Sequence, residues 1–167
     1  MRPQDIVILL KLLSIKRTDW QYRDLATDLF ISVSEVSASL TRSHIAGLVD
    51  ESRRRVHRQS LIEFIEYGLR YVFPQQPGAM VTGTPTAHSH PFFKTYFASE
   101  IEYVWADENG PVRGLSIIPL HKGVPAAIRK DERLYQWLAA IDIIRVGRVR
   151  EIKVALDMLK NEICHEP

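Results

Sequence analysis

Two groups of side chains in the first half of the sequence have the chemistry to bind a nucleic acid. The first group is basic and falls within six consecutive residues: Arg53, Arg54, Arg55, His57 and Arg58. Positive charges this close together raise the local potential to which a phosphate backbone is attracted. The alternative interpretation of the same residues is a solvated basic loop.

The charge distribution favours the N-terminal half as the nucleic-acid-binding part. The formal net charge is only +2, whereas nucleic-acid-binding domains usually carry a clearly basic surface. However, residues 1–73 hold 11 Lys and Arg against 9 Asp and Glu, while residues 74–167 hold 11 of each. The whole excess of positive charge therefore lies before residue 74.

The second group consists of small hydroxyl side chains that follow a helix-start signal. Ser32 and Glu35 have the S-x-x-E spacing of a capping box, in which each side chain accepts a hydrogen bond from a free amide at the helix start. This spacing predicts a helix from Ser32 that ends at Gly47, a residue that tolerates positive φ. Small polar residues on its outer face would allow it to enter a major groove only about 12 Å wide.

Other chemistries have weaker sequence support. His88, His90, His121 and His165 could in principle ligate a metal, but no Cys pair or His-Glu helix motif accompanies them, so we expect surface histidines. Cys164 is the only cysteine, which excludes an internal disulfide. No nucleophile elbow or paired-carboxylate motif is present, and we expect neither an enzyme nor a cofactor.

The first 73 residues are predicted to form four helices. Pro3 and Asp5 open a helix to about Ile15, because proline fits a first helical position and an acidic residue complements the helix dipole. A second helix is predicted over residues 22–29, and a third begins near Ser32. Ser60 and Glu63 repeat the capping-box spacing ahead of a fourth helix that stops before Pro74.

The segment Leu25–Arg42, with the closing Ala46-Gly47-Leu48-Val49, resembles the helix-turn-helix of MarR-like winged-helix transcriptional regulators, and the resemblance extends over about residues 5–73. The resemblance implies that the third helix reads double-stranded DNA, with no cofactor. The residues it places at the DNA are Ser32, Ser34, Ser37, Ala38, Thr41 and Arg42. Contacts along the minor groove or the DNA backbone are then expected from Arg53, Arg54, Arg55 and Arg58.

Two positions depart from the pattern of that family. Phe30 stands in the turn where glycine is common, so the angle between the second and third helices is open. Residues 50–59 are too short and too charged for a complete two-stranded wing, which predicts a degenerate wing.

The second half has a different composition. Residues 74–98 are rich in Gly, Pro, Thr and His and are predicted to be a connector. Residues 101–106 and 112–118 are strand-like and flank a turn sequence, so we expect a β-hairpin. Two helices follow, over residues 132–146 and 148–163, separated or bent at Gly147.

The last helix carries apolar residues at spacings of three and four. They can pack within the chain or against a second copy, and we assign them to a dimer interface: Val149, Ile152, Leu156, Leu159 and Ile163. A homodimer is expected because a two-fold pair reads two half-sites about one helical turn apart.

These observations predict a mainly α (α+β) protein with three parts: a winged helix-turn-helix over 1–73, a connector over 74–98, and a β-hairpin with two helices over 99–167 for dimerisation or partner binding. The longest apolar run, residues 6–13, is too short to cross a bilayer, and no secretory signal is evident, so we expect a cytoplasmic protein. The leading hypothesis is a homodimeric, sequence-specific DNA-binding regulator.

Two other hypotheses remain open. The chain could be an antitoxin or a defence-system interaction protein that binds a protein partner through its C-terminal half and autoregulates its operon. It could also be a regulator that senses a small molecule, with Tyr103, Trp105, Tyr135 and Trp137 lining a pocket, although aromatic residues at these spacings are usually core.

Overall fold

A computed structural model describes residues 1–165 of the chain. The N-terminal part is helical, as the sequence predicts, with helices α1 (Pro3–Ser14), α2 (Tyr22–Leu29), α3 (Val33–Ile45), α4 (Arg58–Tyr67) and α5 (Leu69–Val72). Pro3 and Asp5 stand in the first turn of α1, where the carboxylate of Asp5 accepts a hydrogen bond from the backbone N–H of Arg2 at 2.7 Å.

The prediction for the fourth helix is wrong at its start. Helix α4 begins at Arg58 and has His57 as its N-cap residue, so Ser60 lies inside the helix rather than capping it. His57 is fixed in place by a 2.8 Å hydrogen bond between its Nδ1 and the carbonyl of Gly47. The helix is interrupted at Gly68, after which the short α5 continues to Val72.

The segment predicted to be a connector contains regular structure. Strand β1 (Met80–Pro85) is followed by a 3₁₀ turn, Ala87–Ser89, and by the short helix α6 (Pro91–Lys94). The apolar alternation that would mark a strand is absent from Met-Val-Thr-Gly-Thr-Pro. Strand β1 forms because its backbone pairs with two strands that lie later in the chain, and the composition of this segment does not predict that pairing.

The β-hairpin prediction is also wrong. Strands β2 (Tyr103–Ala106) and β3 (Val112–Ser116) do form, and the intervening turn is closed by a hydrogen bond from the N–H of Gly110 to the carbonyl of Asp107. However, β2 and β3 run parallel to each other where they meet, and each pairs antiparallel with β1, which gives a small closed three-stranded barrel.

Gly83 is the point at which β1 passes from one partner strand to the other. It is paired with both Val112 of β3 and Ala106 of β2. A Cβ atom at this position would clash with the backbone carbonyl of Trp105, so the approach of the strands requires glycine.

The C-terminal part ends in helices α7 (Val124–Ala127), α8 (Glu132–Val146) and α9 (Val149–Cys164), with a 3₁₀ turn at Ile128–Lys130 before α8. Gly147 separates α8 from α9 in an extended conformation. No helix within residues 1–165 is long and apolar enough to cross a membrane.

The two halves of the chain share one hydrophobic core. Helix α8 packs against α1, α5 and α9, and α9 also packs against α4. Buried residues of α1, such as Leu9, and of α8, such as Ile141, belong to the same cluster. Pro74 therefore marks the end of the helical N-terminal segment, but the packing continues across it.

The predicted dimer seam on α9 is largely used inside the chain. Leu159 and Ile163 are completely buried, Leu156 is nearly so, and Ile152 is half-buried; only Val149 is exposed. The assignment of Leu156, Leu159 and Ile163 to a surface between subunits is therefore wrong, because α8 and α4 already cover them.

Candidate nucleic-acid interface

Helix α3 begins after a tight turn that fixes its direction relative to α2. Phe30 ends α2 in the left-handed conformation, with φ 57° and ψ 41°, and the N–H of Ile31 bonds to the carbonyl of Ala26. Ser32 is the N-cap of α3, and its Oγ accepts a hydrogen bond from the N–H of Glu35 at 3.2 Å. This confirms one half of the predicted capping box; the Glu35 side chain instead turns towards α1 and Arg42.

One side of α3 is directed away from the core. Val36 and Leu40 are buried, and the helix packs extensively on α1 and α2. The opposite side carries a row at i, i+4, i+7 and i+11, which we call the α3 stripe: Ser34, Ala38, Thr41 and Ile45. Ser34 and Ile45 are exposed and the other two are half-buried. Ser34, Ala38 and Thr41 therefore lie together on the outer face, as the resemblance implies.

The hydroxyl groups of this face already have local partners. The Oγ1 of Thr41 donates to the carbonyl of Ser37 at 3.0 Å, and the Oγ atoms of Ser32 and Ser34 lie 3.2 Å apart. Ser37 is half-buried beside the stripe. A hydroxyl group that donates to a carbonyl can still accept, so these side chains keep acceptor capacity towards solvent.

Arg42 is part of a charged cluster that joins α3 to α1. Its guanidinium donates to both carboxylate oxygens of Asp5, at 3.1 and 2.8 Å, and to Oε1 of Glu35 at 2.7 Å. The same Glu35 oxygen accepts from Gln4 at 2.6 Å and from Arg2 at 3.3 Å. Asp5 is completely buried, whereas the Arg42 side chain is 25% exposed.

The protonation equilibria of the cluster reflect these contacts. Burial acts to raise the pKa of Asp5, but the hydrogen bonds and charge of Arg42, with the N–H of Arg2, outweigh it and hold the pKa below its usual value. The hydrogen bond from Arg42 also lowers the pKa of Glu35. The pKa of Arg42 is raised, chiefly by its hydrogen bonds to Asp5. All three groups are therefore charged at neutral pH.

The resemblance assigns Arg42 to DNA, and the sequence indicates no role for Asp5 beyond the start of α1. The structure occupies most of the Arg42 donors within the chain, so this side chain is placed to hold α3 on α1. No local signal identifies the pair, because Asp5 and Arg42 are 37 residues apart and Asp5 has an independent role at the start of α1.

Most of the basic cluster lies in a turn that is closed by a single β-bridge. Val49 and Val56 pair antiparallel where the sequence predicts a degenerate wing, and residues 50–55 form the turn between them, which we call the arginine turn. Oδ1 of Asp50 accepts from the backbone N–H groups of Arg54 and Arg55, at 3.0 and 3.1 Å. Arg53 adopts positive φ, 59°. One carboxylate thus organises the backbone of this turn.

Three of the predicted arginines lie close together, two of them in the arginine turn. Arg54, Arg55 and Arg58 all line one cavity of about 310 Å³ beside the end of α1. Arg54 donates to the carbonyl of Trp20 at 3.0 Å and stacks over the Trp20 ring at 4.5 Å, while Arg58 donates to the carbonyl of Ile163 at 2.6 Å. These contacts restrict both guanidinium groups.

Large apolar side chains are also exposed around α3. Ile45 is 80% exposed, Phe30 60% and Val33 49%. Sequence analysis did not single out Ile45 or Val33, because apolar residues in a predicted helix are normally assigned to its buried face. Exposed apolar side chains on a monomer are a common feature of protein-binding surfaces.

Two of the histidines considered as metal ligands, His88 and His90, lie apart from this face. His88 contacts Oε2 of Glu151 at 3.0 Å, and His90 accepts from the N–H of Phe92 through Nδ1. Both are buried rather than on the surface, contrary to the sequence-based expectation. Within residues 1–165 there is no group of three or more His, Cys, Asp or Glu that could hold a metal ion.

Comparison with protein-family models, with curated proteins and with solved structures finds no match to this chain. The case for a nucleic-acid interface therefore depends on the geometry of α3 and the arginine turn, together with the resemblance of the helix-turn-helix residues.

Proposed function

We propose that the chain is a sequence-specific double-stranded DNA-binding regulator that inserts α3 into the major groove. The observation that carries this proposal is the first part of the α3 stripe, where the small side chains of Ser34, Ala38 and Thr41 lie on the outer side of a capped helix, while the larger Ile45 lies at its far end. A helix with such a face can approach base edges closely, whereas large side chains would hold it away.

The individual contacts follow from exposure and from the remaining hydrogen-bonding capacity. Ser34 and Ser37 face base edges or phosphates near the start of the helix, and Ala38 faces a thymine methyl group. The arginine turn supplies phosphate contacts through Arg53, Arg54 and Arg55, with Arg58 beside them. Arg42 acts indirectly, since it fixes the position of α3 through Asp5.

The test is selection of a binding site from a random duplex pool, followed by titration of the selected duplex by fluorescence anisotropy at several salt concentrations. Replacing Arg53, Arg54 and Arg55 together by alanine should weaken binding to all sequences and reduce the salt slope by about 0.9 per lost phosphate contact. Ala38→Glu should abolish selective binding, because it places a carboxylate on the α3 stripe.

A matched control changes three exposed basic residues of the C-terminal half, Arg113, Lys122 and Lys130, to alanine. It removes the same charge and should leave the salt slope unchanged. The proposal fails if the wild-type chain shows no salt-dependent binding to any duplex, or if both triple variants behave alike.

A second candidate function, binding of a protein partner through the same face, is favoured by the exposure of Phe30, Val33 and Ile45. The variant Ile45→Glu separates the two. It should release a stoichiometric partner that copurifies from native cells, and the alanine triple of the arginine turn should retain that partner. If no protein copurifies with the wild-type chain and Ile45→Glu loses DNA binding, the DNA-binding function is favoured.

A further inference from the structure

A groove runs between the α6 region and the outer side of α9, on a part of the molecule that the proposed DNA contacts do not use. It consists of two cavities of about 610 and 420 Å³, both of which are lined by Tyr96 and Val154. Phe92 and Met158 line the second cavity beside them. The middle of the groove is therefore apolar, and Tyr96 is 58% exposed.

The charges on the outer side of α9 are arranged with opposite signs at its two ends. The residues furthest from the buried face recur at i, i+4, i+7 and i+11, and we call them the α9 stripe: Arg150, Val154, Asp157 and Asn161. The first cavity is lined by Arg148 and Arg150, together with Glu151, and the second is lined by Asp157 and Glu162. The apolar centre thus lies between a basic end and an acidic end.

Several charged side chains of α9 contact neighbouring elements of the chain, but those of Arg150 and Asp157 do not. Glu151 contacts His88, Glu162 accepts from Trp137, and Lys160 pairs with Glu66. Within residues 1–165, Arg150, Lys153 and Asp157 make no ion pair, and all three are exposed, but only Arg150 and Asp157 line the groove. The pKa of Lys160 is raised chiefly by its hydrogen bond to Glu66, and Asp157 on the same helix adds a smaller contribution.

We propose that this groove is the contact surface for a second copy of the chain, with the two α9 helices antiparallel across a two-fold axis near Val154. Such an interface must be complementary to itself. Arg150 and Asp157 are seven residues apart, about 10 Å along a helix, and their midpoint falls between Lys153 and Val154, of which Val154 belongs to the α9 stripe. The two-fold axis therefore brings Arg150 of each copy opposite Asp157 of the other.

The same arrangement covers the apolar centre. Val154 lies against its counterpart, and the side chains of Tyr96 and Met158 flank it on both sides. Antiparallel helices also align their dipoles favourably. The dimer does not require DNA binding, but its role in reading two half-sites rests on the proposed function.

Sedimentation equilibrium of the full chain tests the arrangement by charge reversal. Arg150→Glu places four carboxylates around the axis, and Asp157→Arg places four cations there, so each variant should weaken the dimer by about tenfold or more. The two variants mixed together should form a heterodimer. In that heterodimer the introduced carboxylate of one chain faces the introduced guanidinium of the other, and the remaining native Asp157 and Arg150 face each other. The double variant in one chain should also dimerise.

Arg113→Glu, an equivalent charge reversal on β3, is the control and should leave the dimer unchanged. A monomeric wild-type chain, a dimer insensitive to both reversals, or two dissociated variants that do not recombine would each overturn the proposal. Failure of the DNA-binding proposal can be distinguished from failure of the dimer proposal. The monomeric Arg150→Glu variant presents a single α3, and its DNA binding can be assayed on a half-site duplex. Loss of half-site binding in the arginine-turn variant concerns the interface with DNA and not the dimer.

Discussion

Removing the Asp5–Arg42 pair should destabilise the fold before it changes any direct contact with DNA. The perturbation is a double-mutant cycle of Asp5→Ala and Arg42→Ala. Asp5 is completely buried and accepts two hydrogen bonds from Arg42, in addition to the one from the N–H of Arg2 that stabilises the start of α1.

The magnitude follows from the burial of the two partners. Removing one partner of a buried pair costs about 3–5 kcal/mol, because the other charge is left without compensation. In Asp5→Ala the stranded Arg42 is 25% exposed and keeps Glu35 at 2.7 Å, so the cost belongs at the lower end, about 3 kcal/mol. Arg42→Ala strands Asp5 in the core and should cost at least as much. The double variant should cost less than the sum of the two, with a coupling energy of about 2 kcal/mol.

Urea unfolding followed by circular dichroism at pH 7 measures all four free energies of unfolding. The slope with urea should be the same in each variant, which shows that the native state remains compact. If Arg42→Ala unfolds at the wild-type urea concentration and yet loses DNA binding, Arg42 is a direct DNA contact and the positioning role is refuted. Glu35→Gln serves as a comparison, since it retains an acceptor for Arg42 and should cost less than either alanine variant.

Two further predictions concern pH and backbone strain. Burial lowers the pKa of His90 to about 4 from 6.5, so the folded state favours the neutral imidazole. The stability of the fold should therefore be constant above pH 6.5 with respect to this group. Between pH 6.5 and pH 4 the free energy of unfolding should fall by about 3 kcal/mol, because only the unfolded chain binds the proton. His90→Asn, which retains an acceptor for the N–H of Phe92, should flatten this part of the curve of unfolding free energy against pH, and an unchanged slope would contradict the assignment. Phe30→Asn should raise the free energy of unfolding by about 0.5–1 kcal/mol, and with it the melting temperature, because asparagine tolerates the left-handed conformation better. A lower melting temperature would show that the Phe30 ring contributes packing.

Local signals were sufficient where a structure depends on neighbouring residues. Pro3 and Asp5 predicted α1, and Ser32 predicted the start of α3, because a proline or a side-chain cap acts within one helical turn. The outer position of Ser34, Ala38 and Thr41 is what the resemblance to a helix-turn-helix implied. Gly147 separated two helices for the same local reason.

The same local reasoning failed where two signals competed. Ser60 and Glu63 have the capping spacing, yet α4 begins at Arg58 because His57 is anchored to Gly47, ten residues earlier in the chain. Leu156 and Leu159 fit a dimer seam as well as an internal one, since amphipathic periodicity shows that a face must be covered and does not identify what covers it.

The sequence by itself determined α1, α2, the capped start of α3 and the clustering of arginines, because each depends on residues within a few positions of one another. Only the tertiary structure decided that Asp5 binds Arg42, that β1 pairs with both β2 and β3, and that α9 is covered by α4 and α8. These contacts join residues far apart in the chain, and their energies depend on burial and on distances that arise only when the whole chain has packed.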